Sequence, residues 1–102
     1  MSDWTEIGCV ADIPKRGARR VTTQSGAIAV FRTGEDEIFA LEDRCPHKNG
    51  PLSQGIVHGK SVTCPLHTLV ISLETGASED EGCATTVPVR LEGERIFLQL
   101  TL

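Results

Sequence analysis

The sequence predicts an all-β domain, either a small antiparallel sandwich or a partly open barrel, and three observations favour this class. Short segments rich in β-branched and other apolar residues recur along the chain. Turn signals that contain Gly, Asn or Asp separate them at short intervals. No segment sustains an apolar stripe at helical spacing for the roughly ten residues that a helix requires. Many short strands at this spacing are typical of sandwiches and barrels.

Five segments are the clearest predicted strands: AIAVF (27–31), EIFAL (37–41), SVTC (61–64), LVISL (69–73) and RIFLQL (95–100). The predicted turns between strands are QSG (24–26), TGED (33–36), KNGP (48–51), ETG (74–76) and EGE (92–94). The last segment, RIFLQL, alternates in the period-2 manner of a strand. We expect SVTC and LVISL to form the two arms of a hairpin.

Length and charge restrict the function classes. A chain of 102 residues supports one modest core, so residues 1–102 are predicted to form a single domain. A net charge of −4 argues against nucleic acid or an anionic membrane surface as the main partner, and favours a protein partner. No apolar run approaches the roughly 20 residues of a membrane span. The start, MSDWTEIG, lacks the features of a secretory signal, so we expect a cytoplasmic protein.

Cysteine and histidine occur together at two places, CPH (45–47) and CPLH (64–67). In a reducing compartment, cysteines are more often metal ligands or buried thiols than a disulfide framework. Zinc sites usually group a Cys pair and then a His pair, although tetrahedral zinc accepts a mixed order. A [2Fe-2S] cluster with two Cys on one iron and two His on the other explains why each segment supplies one of each. Zinc, this cluster and buried side chains therefore remain the three explanations.

The residues around both pairs suit tight ligand loops. Pro46 and Pro65 fix the φ angle directly after each cysteine. Gly50 and Gly55 permit the sharp bends that a short loop needs.

The pattern Cys45-x-His47, then residues 48–63, then Cys64-x-x-His67 resembles the motif of the Rieske iron-sulfur family. The resemblance implies a Rieske-type antiparallel β-sandwich with a small cluster-binding subdomain formed by two loops, within about residues 44–69. It also implies one [2Fe-2S] cluster held by Cys45, His47, Cys64 and His67. Such a cluster leaves no coordination position open, so the implied role is electron transfer, with the reaction chemistry on a partner.

A narrower resemblance extends over nearly the whole chain. DWTEIG, EIFALEDRCPHKNGPLSQGIVHG, DEGC and PVRLEGERIFL resemble the small subunits of assimilatory NAD(P)H-dependent nitrite reductases. The implied partner is the large flavin and sirohaem subunit that reduces nitrite to ammonia. The chain departs from that pattern at four positions near the second motif and in the first loop, namely Asn49, Thr68, Leu69 and Ser72.

Two alternatives stand beside this reading. Rieske ferredoxins that serve aromatic-ring dioxygenases share CPH, CPLH and the ETG turn, and their partners would be a dioxygenase and its reductase. A zinc-stabilised binding module is the third possibility.

The same resemblance bears on the reduction potential. High-potential Rieske proteins carry an extra cysteine in each ligand loop and hydroxyl groups aimed at the cluster. This chain has Asn49 and Leu66 at those loop positions and contains no tyrosine. We therefore expect a midpoint in the lower third of the family's range of about −150 to +300 mV.

The remaining chemically distinctive residues have simpler interpretations. We expect His58 to be an ordinary exposed histidine, and Cys9 and Cys83 to be inert buried thiols. We expect the two charge runs to be solvated surface. These runs are the acidic residues Glu79, Asp80 and Glu81 and the basic residues Lys15, Arg16, Arg19 and Arg20.

Overall fold

The computed structural model describes residues 4–23, 26–43, 52–64, 70–77 and 84–99. Within these ranges the chain forms ten strands and two 3-10 turns but no α-helix, which confirms the predicted all-β class. The strands are β1 Trp4–Cys9, β2 Gly17–Thr23, β3 Gly26–Arg32, β4 Ile38–Glu42, β5 Ile56–His58, β6 Ser61–Thr63, β7 Val70–Ser72, β8 Thr86–Val87, β9 Val89–Glu92 and β10 Arg95–Gln99. The 3-10 turns are Val10–Asp12 and Leu52–Gln54.

The strands form three antiparallel sheets. The central sheet has the order β2-β3-β4-β8, and a second sheet has the order β1-β10-β9. The third, called the small sheet below, has the order β5-β6-β7. Its β6–β7 pairing confirms the hairpin that SVTC and LVISL predict.

Strand β3 is buried on both of its faces. Successive side chains of a strand point to opposite faces, so Ile28 and Val30 face one way while Ala29 and Phe31 face the other. The first pair packs in a cluster with Ile96 of β10. The second pair packs in a cluster with residues of the small sheet, including Val62 and Ile71. The central sheet therefore separates two cores, and the small sheet covers one of its faces.

The five predicted strands are all present within the described ranges, each within one or two residues of its predicted bounds. Strands β1, β2, β5, β8 and β9 were not predicted. Strand β2 (GARRVTT) has no buried residue, and β9 is mostly exposed, so neither carries the apolar pattern on which a prediction depends. Among the described residues, no helix is long and apolar enough to cross a membrane.

Gly76 ends the predicted ETG turn, and its backbone hydrogen bonds connect this turn to Ala84, which precedes β8. Its N–H donates to the Ser72 carbonyl (2.8 Å), and its carbonyl accepts from the Ala84 N–H (2.7 Å). Its φ of 79° lies in the left-handed region, and a Cβ there would overlap the Ala84 carbonyl oxygen. We expect Gly76→Ala to lower the free energy of unfolding by about 2–4 kcal/mol, because backbone strain and steric overlap add. Urea unfolding measures this loss.

Gly93 is the matched control for this variant. Its φ is 63°, yet nothing lies within 4 Å of a Cβ built there. Gly93→Ala should therefore lower the free energy of unfolding only by the strain of the left-handed backbone, about 1–2 kcal/mol. Equal losses in the two variants would contradict the role assigned to the contact between Gly76 and Ala84.

An exposed ion pair joins β1 to β10. The Arg95 guanidinium donates to both Glu6 carboxylate oxygens, from Nη2 at 2.6 Å and from Nε at 3.0 Å. These hydrogen bonds, followed by the favourable charge interaction, lower the pKa of Glu6 below its ordinary value of 4.5. A carboxyl group whose pKa is lowered by folding stabilises the folded state at every pH above its ordinary pKa. This stabilisation is lost as pH falls through the lower pKa of the folded state.

Glu6→Gln is therefore expected to be slightly less stable than the parent protein at neutral pH, by the small amount typical of exposed pairs. The deficit should shrink as pH falls from the ordinary value of 4.5 through the lowered pKa of Glu6, because the parent carboxylate then becomes protonated as well. Urea unfolding of both proteins at neutral and acidic pH measures it. A deficit that persists unchanged in acid would contradict this account.

Candidate metal centre

The two Cys/His segments join the same end of the small sheet. Ile56 at the start of β5 pairs with Thr63 at the end of β6, and Thr63 pairs with Val70 at the start of β7. The segment that contains CPH precedes the 3-10 turn Leu52–Gln54 and β5. The segment that contains CPLH connects β6 to β7. The register thus places the attachment points of the two segments side by side, as a site built from two facing loops requires.

Cys64 is the one predicted ligand within the described ranges; Cys45, His47 and His67 lie outside them. Cys64 directly follows β6 and is 3% exposed. It belongs to the core cluster that contains Leu52, Val62 and Ile71. Its position therefore combines shielding from water with attachment to a paired strand.

A buried carboxylate closes the base of the first segment. Asp43 follows β4, and its side chain is 0% exposed. Its Oδ1 accepts a hydrogen bond from the Ser53 N–H, and its Oδ2 accepts one from the Ser53 hydroxyl, both at 2.7 Å. The Asp43 N–H donates to the Ala27 carbonyl at 2.9 Å, and Arg20 Nε lies 3.4 Å from Oδ2. The ends of the segment between Asp43 and Ser53 are therefore fastened together and to the central sheet.

Sequence reasoning missed Asp43 and Ser53. The available signal was weak: a carboxylate directly after a predicted buried strand and shortly before a predicted ligand. The pairing of Asp43 with a serine ten residues later depends on tertiary structure.

Gly55 brings the first segment against the second. Its N–H donates to the Leu52 carbonyl at 2.9 Å, which closes the 3-10 turn. A Cβ on Gly55 would overlap the carbonyl oxygen of Thr63, the residue before Cys64. Gly55 was predicted to permit a bend, and the structure shows that a close approach of two backbones also requires glycine here.

The other singled-out residues have separate outcomes. His58 is exposed, as predicted, and its Nε2 lies 2.7 Å from Thr63 Oγ1. The prediction that Cys9 is buried is wrong: Cys9 is only partly buried, because β1 is an outer strand of its sheet. Cys83 lies outside the described residues. Within the described ranges, no group of three or more His, Cys, Asp or Glu side chains is placed to hold a metal ion.

The basic run is exposed, as predicted, but it is not merely solvated. Arg19 Nη1 donates to the Ile7 carbonyl at 2.9 Å, and Arg20 approaches Asp43. Lys15 lies 4.0 Å from a carboxylate oxygen of Asp36. The acidic run 79–81 lies outside the described residues.

Comparison with known protein families decides between zinc and an iron-sulfur cluster. Residues 3–90 match the profile of the Rieske [2Fe-2S] domain. The chain belongs to the Rieske [2Fe-2S] family. The family resemblance and the cofactor predicted from the sequence, a [2Fe-2S] cluster, are thereby confirmed. This Rieske protein is an electron-transfer protein.

Two curated relatives are similar over most of the chain. The 3-phenylpropionate/cinnamic acid dioxygenase ferredoxin subunit of Shigella boydii serotype 4 (strain Sb227) is 40% identical over 95 residues, which cover 89% of this chain and 88% of the relative. The anthranilate 1,2-dioxygenase ferredoxin subunit of Burkholderia cepacia is 41% identical over 98 residues, which cover 94% and 86% respectively.

Solved structures share the fold. The ferredoxin of carbazole 1,9a-dioxygenase from Nocardioides aromaticivorans IC177 superposes with a TM-score of 0.86 at 21% identity, over 98% of this chain and 100% of that chain. The proposed NADH-dependent nitrite reductase small subunit of Mycobacterium tuberculosis superposes with a TM-score of 0.89 at 20% identity, over 100% and 98%. At these identities the likeness concerns the fold alone, and it confirms the Rieske-type architecture.

The described part of the site fits a [2Fe-2S] cluster. A cluster needs thiolate donors shielded from water, and Cys64 is a buried thiol at the end of a paired strand. It also needs two ligand loops that face each other, and the small sheet anchors both motif segments at one end. The Asp43–Ser53 contact closes the base of one of these segments.

Proposed function

We propose that this Rieske protein is the ferredoxin of an aromatic-ring-hydroxylating dioxygenase and carries electrons from a reductase to the oxygenase. The observation that carries this proposal is the 40–41% identity to two dioxygenase ferredoxin subunits over about nine-tenths of the chain. Both relatives match over most of their own length as well. The sequence analysis favoured the nitrite reductase assignment and kept the dioxygenase ferredoxin as the alternative. The identity to these relatives supports placing the dioxygenase ferredoxin first in this proposal.

We further propose that Cys45 and Cys64 bind one iron and that His47 and His67 bind the other. When bound, the cluster accepts and donates one electron. The chain supplies one cysteine and one histidine from each segment, so that neither iron has an open position for substrate. The burial of Cys64 keeps water from its sulfur, which protects the ligand bond and lowers the local dielectric.

The nitrite reductase small subunit remains the second candidate. The stretches DWTEIG, GPLSQGIVHG and DEGC favour it, and the fold likeness to the proposed small subunit from Mycobacterium tuberculosis is compatible with it. Under this function the partner is the large flavin and sirohaem subunit.

The two functions differ in the protein that reoxidises the reduced chain. We expect an aromatic-ring dioxygenase of the same organism to reoxidise the reduced protein when the two are mixed anaerobically. The reoxidation should be as fast as the catalytic turnover of the dioxygenase. The return of the visible absorbance of the oxidised protein measures its rate. Mixing it with the large nitrite reductase subunit of the same organism is the parallel measurement. Fast electron transfer only to the nitrite reductase subunit would overturn the dioxygenase assignment in favour of the second candidate.

The reduction potential is a further prediction of the proposed site. The chain contains no tyrosine and lacks the extra loop cysteines that distinguish high-potential Rieske proteins. We expect a midpoint below about 0 mV, in the lower third of the family's range. A redox titration followed by visible absorbance measures it, and a midpoint above about +150 mV would contradict this account.

A further inference from the structure

We propose that Asp43 and Ser53 form a latch that positions the first ligand segment and thereby controls how long the cluster stays bound. The inference rests on the proposed ligands, since Asp43 stands two residues before Cys45 in the sequence. Asp43 and Ser53 are positioning residues: they act through the backbone that presents Cys45 and His47.

The latch is built from strong interactions in a protected place. One carboxylate accepts two hydrogen bonds of 2.7 Å from the same residue, one from its N–H and one from its hydroxyl. Hydrogen bonds to a charged acceptor are stronger than those between neutral groups. The carboxylate is 0% exposed, so opening the latch would leave a buried charge short of partners. The closed form is therefore strongly favoured.

The latch is also tied to the rest of the fold. The Asp43 N–H donates to Ala27 at the start of β3, which fixes the backbone of the aspartate. Ser53 lies within the 3-10 turn that Gly55 closes against β6. The 3-10 turn therefore packs against β6, the strand that directly precedes Cys64. Both ligand segments attach to the same end of the small sheet.

Arg20 contributes less than Ser53. Its side chain is 62% exposed, and its Nε lies 3.4 Å from Asp43 Oδ2. Exposed partners of this kind are screened by solvent. Arg20→Gln should therefore change cluster retention much less than Asp43→Asn.

The chain offers a matched control at the opposite end of β4. Asp36 accepts from Arg32 Nε at 2.9 Å and lies 2.8 Å from Arg32 Nη2, in the turn between β3 and β4. Asp36→Asn changes a second hydrogen-bonded aspartate, whose side chain is 50% exposed and which lies at the other end of β4 from the ligand segments. Because loss of the buried Asp43 carboxylate can also lower fold stability, urea unfolding of both variants measures that loss separately, and only Asp43→Asn is expected to change cluster retention.

The test measures the rate at which visible absorbance is lost when the purified, cluster-loaded protein is incubated with an iron chelator. Loss of an outer partner of a metal ligand typically costs about 10–100-fold in metal affinity. We expect Asp43→Asn to accelerate cluster loss by about that factor, and Ser53→Ala by about tenfold. Ser53→Thr keeps both donors and should restore a rate near that of the parent protein. Asp36→Asn should leave the rate unchanged.

EPR spectra of the reduced variants supply a readout that general stability does not affect. We expect broadened or shifted g values in Asp43→Asn and parent-like values in Asp36→Asn. Equal rates and spectra in these two variants would overturn the latch. If Asp43→Asn fails to fold, the comparison of Ser53→Ala with Ser53→Thr tests the latch instead. Equal rates of cluster loss in those two variants would overturn the latch. A parent protein that binds no cluster would instead overturn the proposed function.

Discussion

Cys64→Ala is expected to abolish the visible absorption of the purified protein and to remove its bound iron. Cys64 is a proposed ligand in the buried core, and alanine offers no electron pair to iron. The iron content should fall from about two atoms per chain to nearly none. Absorption spectroscopy combined with iron analysis measures the effect.

Cys9→Ala is the control, because Cys9 is a partly buried cysteine in β1, outside both motif segments. This variant should keep both its colour and its iron. Retention of the cluster in Cys64→Ala, or its loss in both variants, would contradict the assignment of Cys64 as a ligand.

Phe31→Ala is expected to give the largest loss of fold stability, about 3–5 kcal/mol. Phe31 is 0% exposed in the middle of β3, on the face that packs against the small sheet. Removing the ring leaves a cavity in the core shared by the central and small sheets. Equilibrium urea unfolding of the parent and variant measures the loss.

Phe39 provides the comparison for this variant. It pairs with Phe31 across β3 and β4 but is only partly buried against the same cluster. We expect Phe39→Ala to lower the free energy of unfolding by roughly half as much as Phe31→Ala or less, because its side chain buries less apolar area on folding. A larger loss in Phe39→Ala than in Phe31→Ala would contradict the described core.

The strands at the middle of each large sheet could be predicted because a strand that is buried on one or both faces needs apolar side chains there. AIAVF and RIFLQL carry that signal, and they became β3 and β10. Strand β2 could not be predicted in this way: it pairs with β3 along its whole length, yet its side chains are polar or only partly buried. Its stability comes from backbone hydrogen bonds and from the neighbouring strand, which a pattern of side chains does not report.

The candidate site was predictable to a similar extent. Spacing and ligand chemistry located the Cys/His segments, and the structure attaches both to one end of the small sheet. The Asp43–Ser53 latch could not be foreseen, because it joins residues that meet only after β4 and the 3-10 turn have packed. The ligand motif is shared by ferredoxins of oxygenases and by nitrite reductase subunits, so the motif alone does not distinguish these two classes of partner.

The most direct test of the central proposal is the EPR and nitrogen ENDOR spectrum of the reduced protein with histidine labelled by ¹⁵N. We predict a [2Fe-2S] signal with a low average g value and hyperfine coupling to two histidine nitrogens, one each from His47 and His67. His58→Ala should leave that coupling unchanged, since His58 is exposed on β5 and hydrogen-bonded to Thr63. A colourless zinc protein, or a cluster without histidine coupling, would contradict mixed cysteine and histidine ligation.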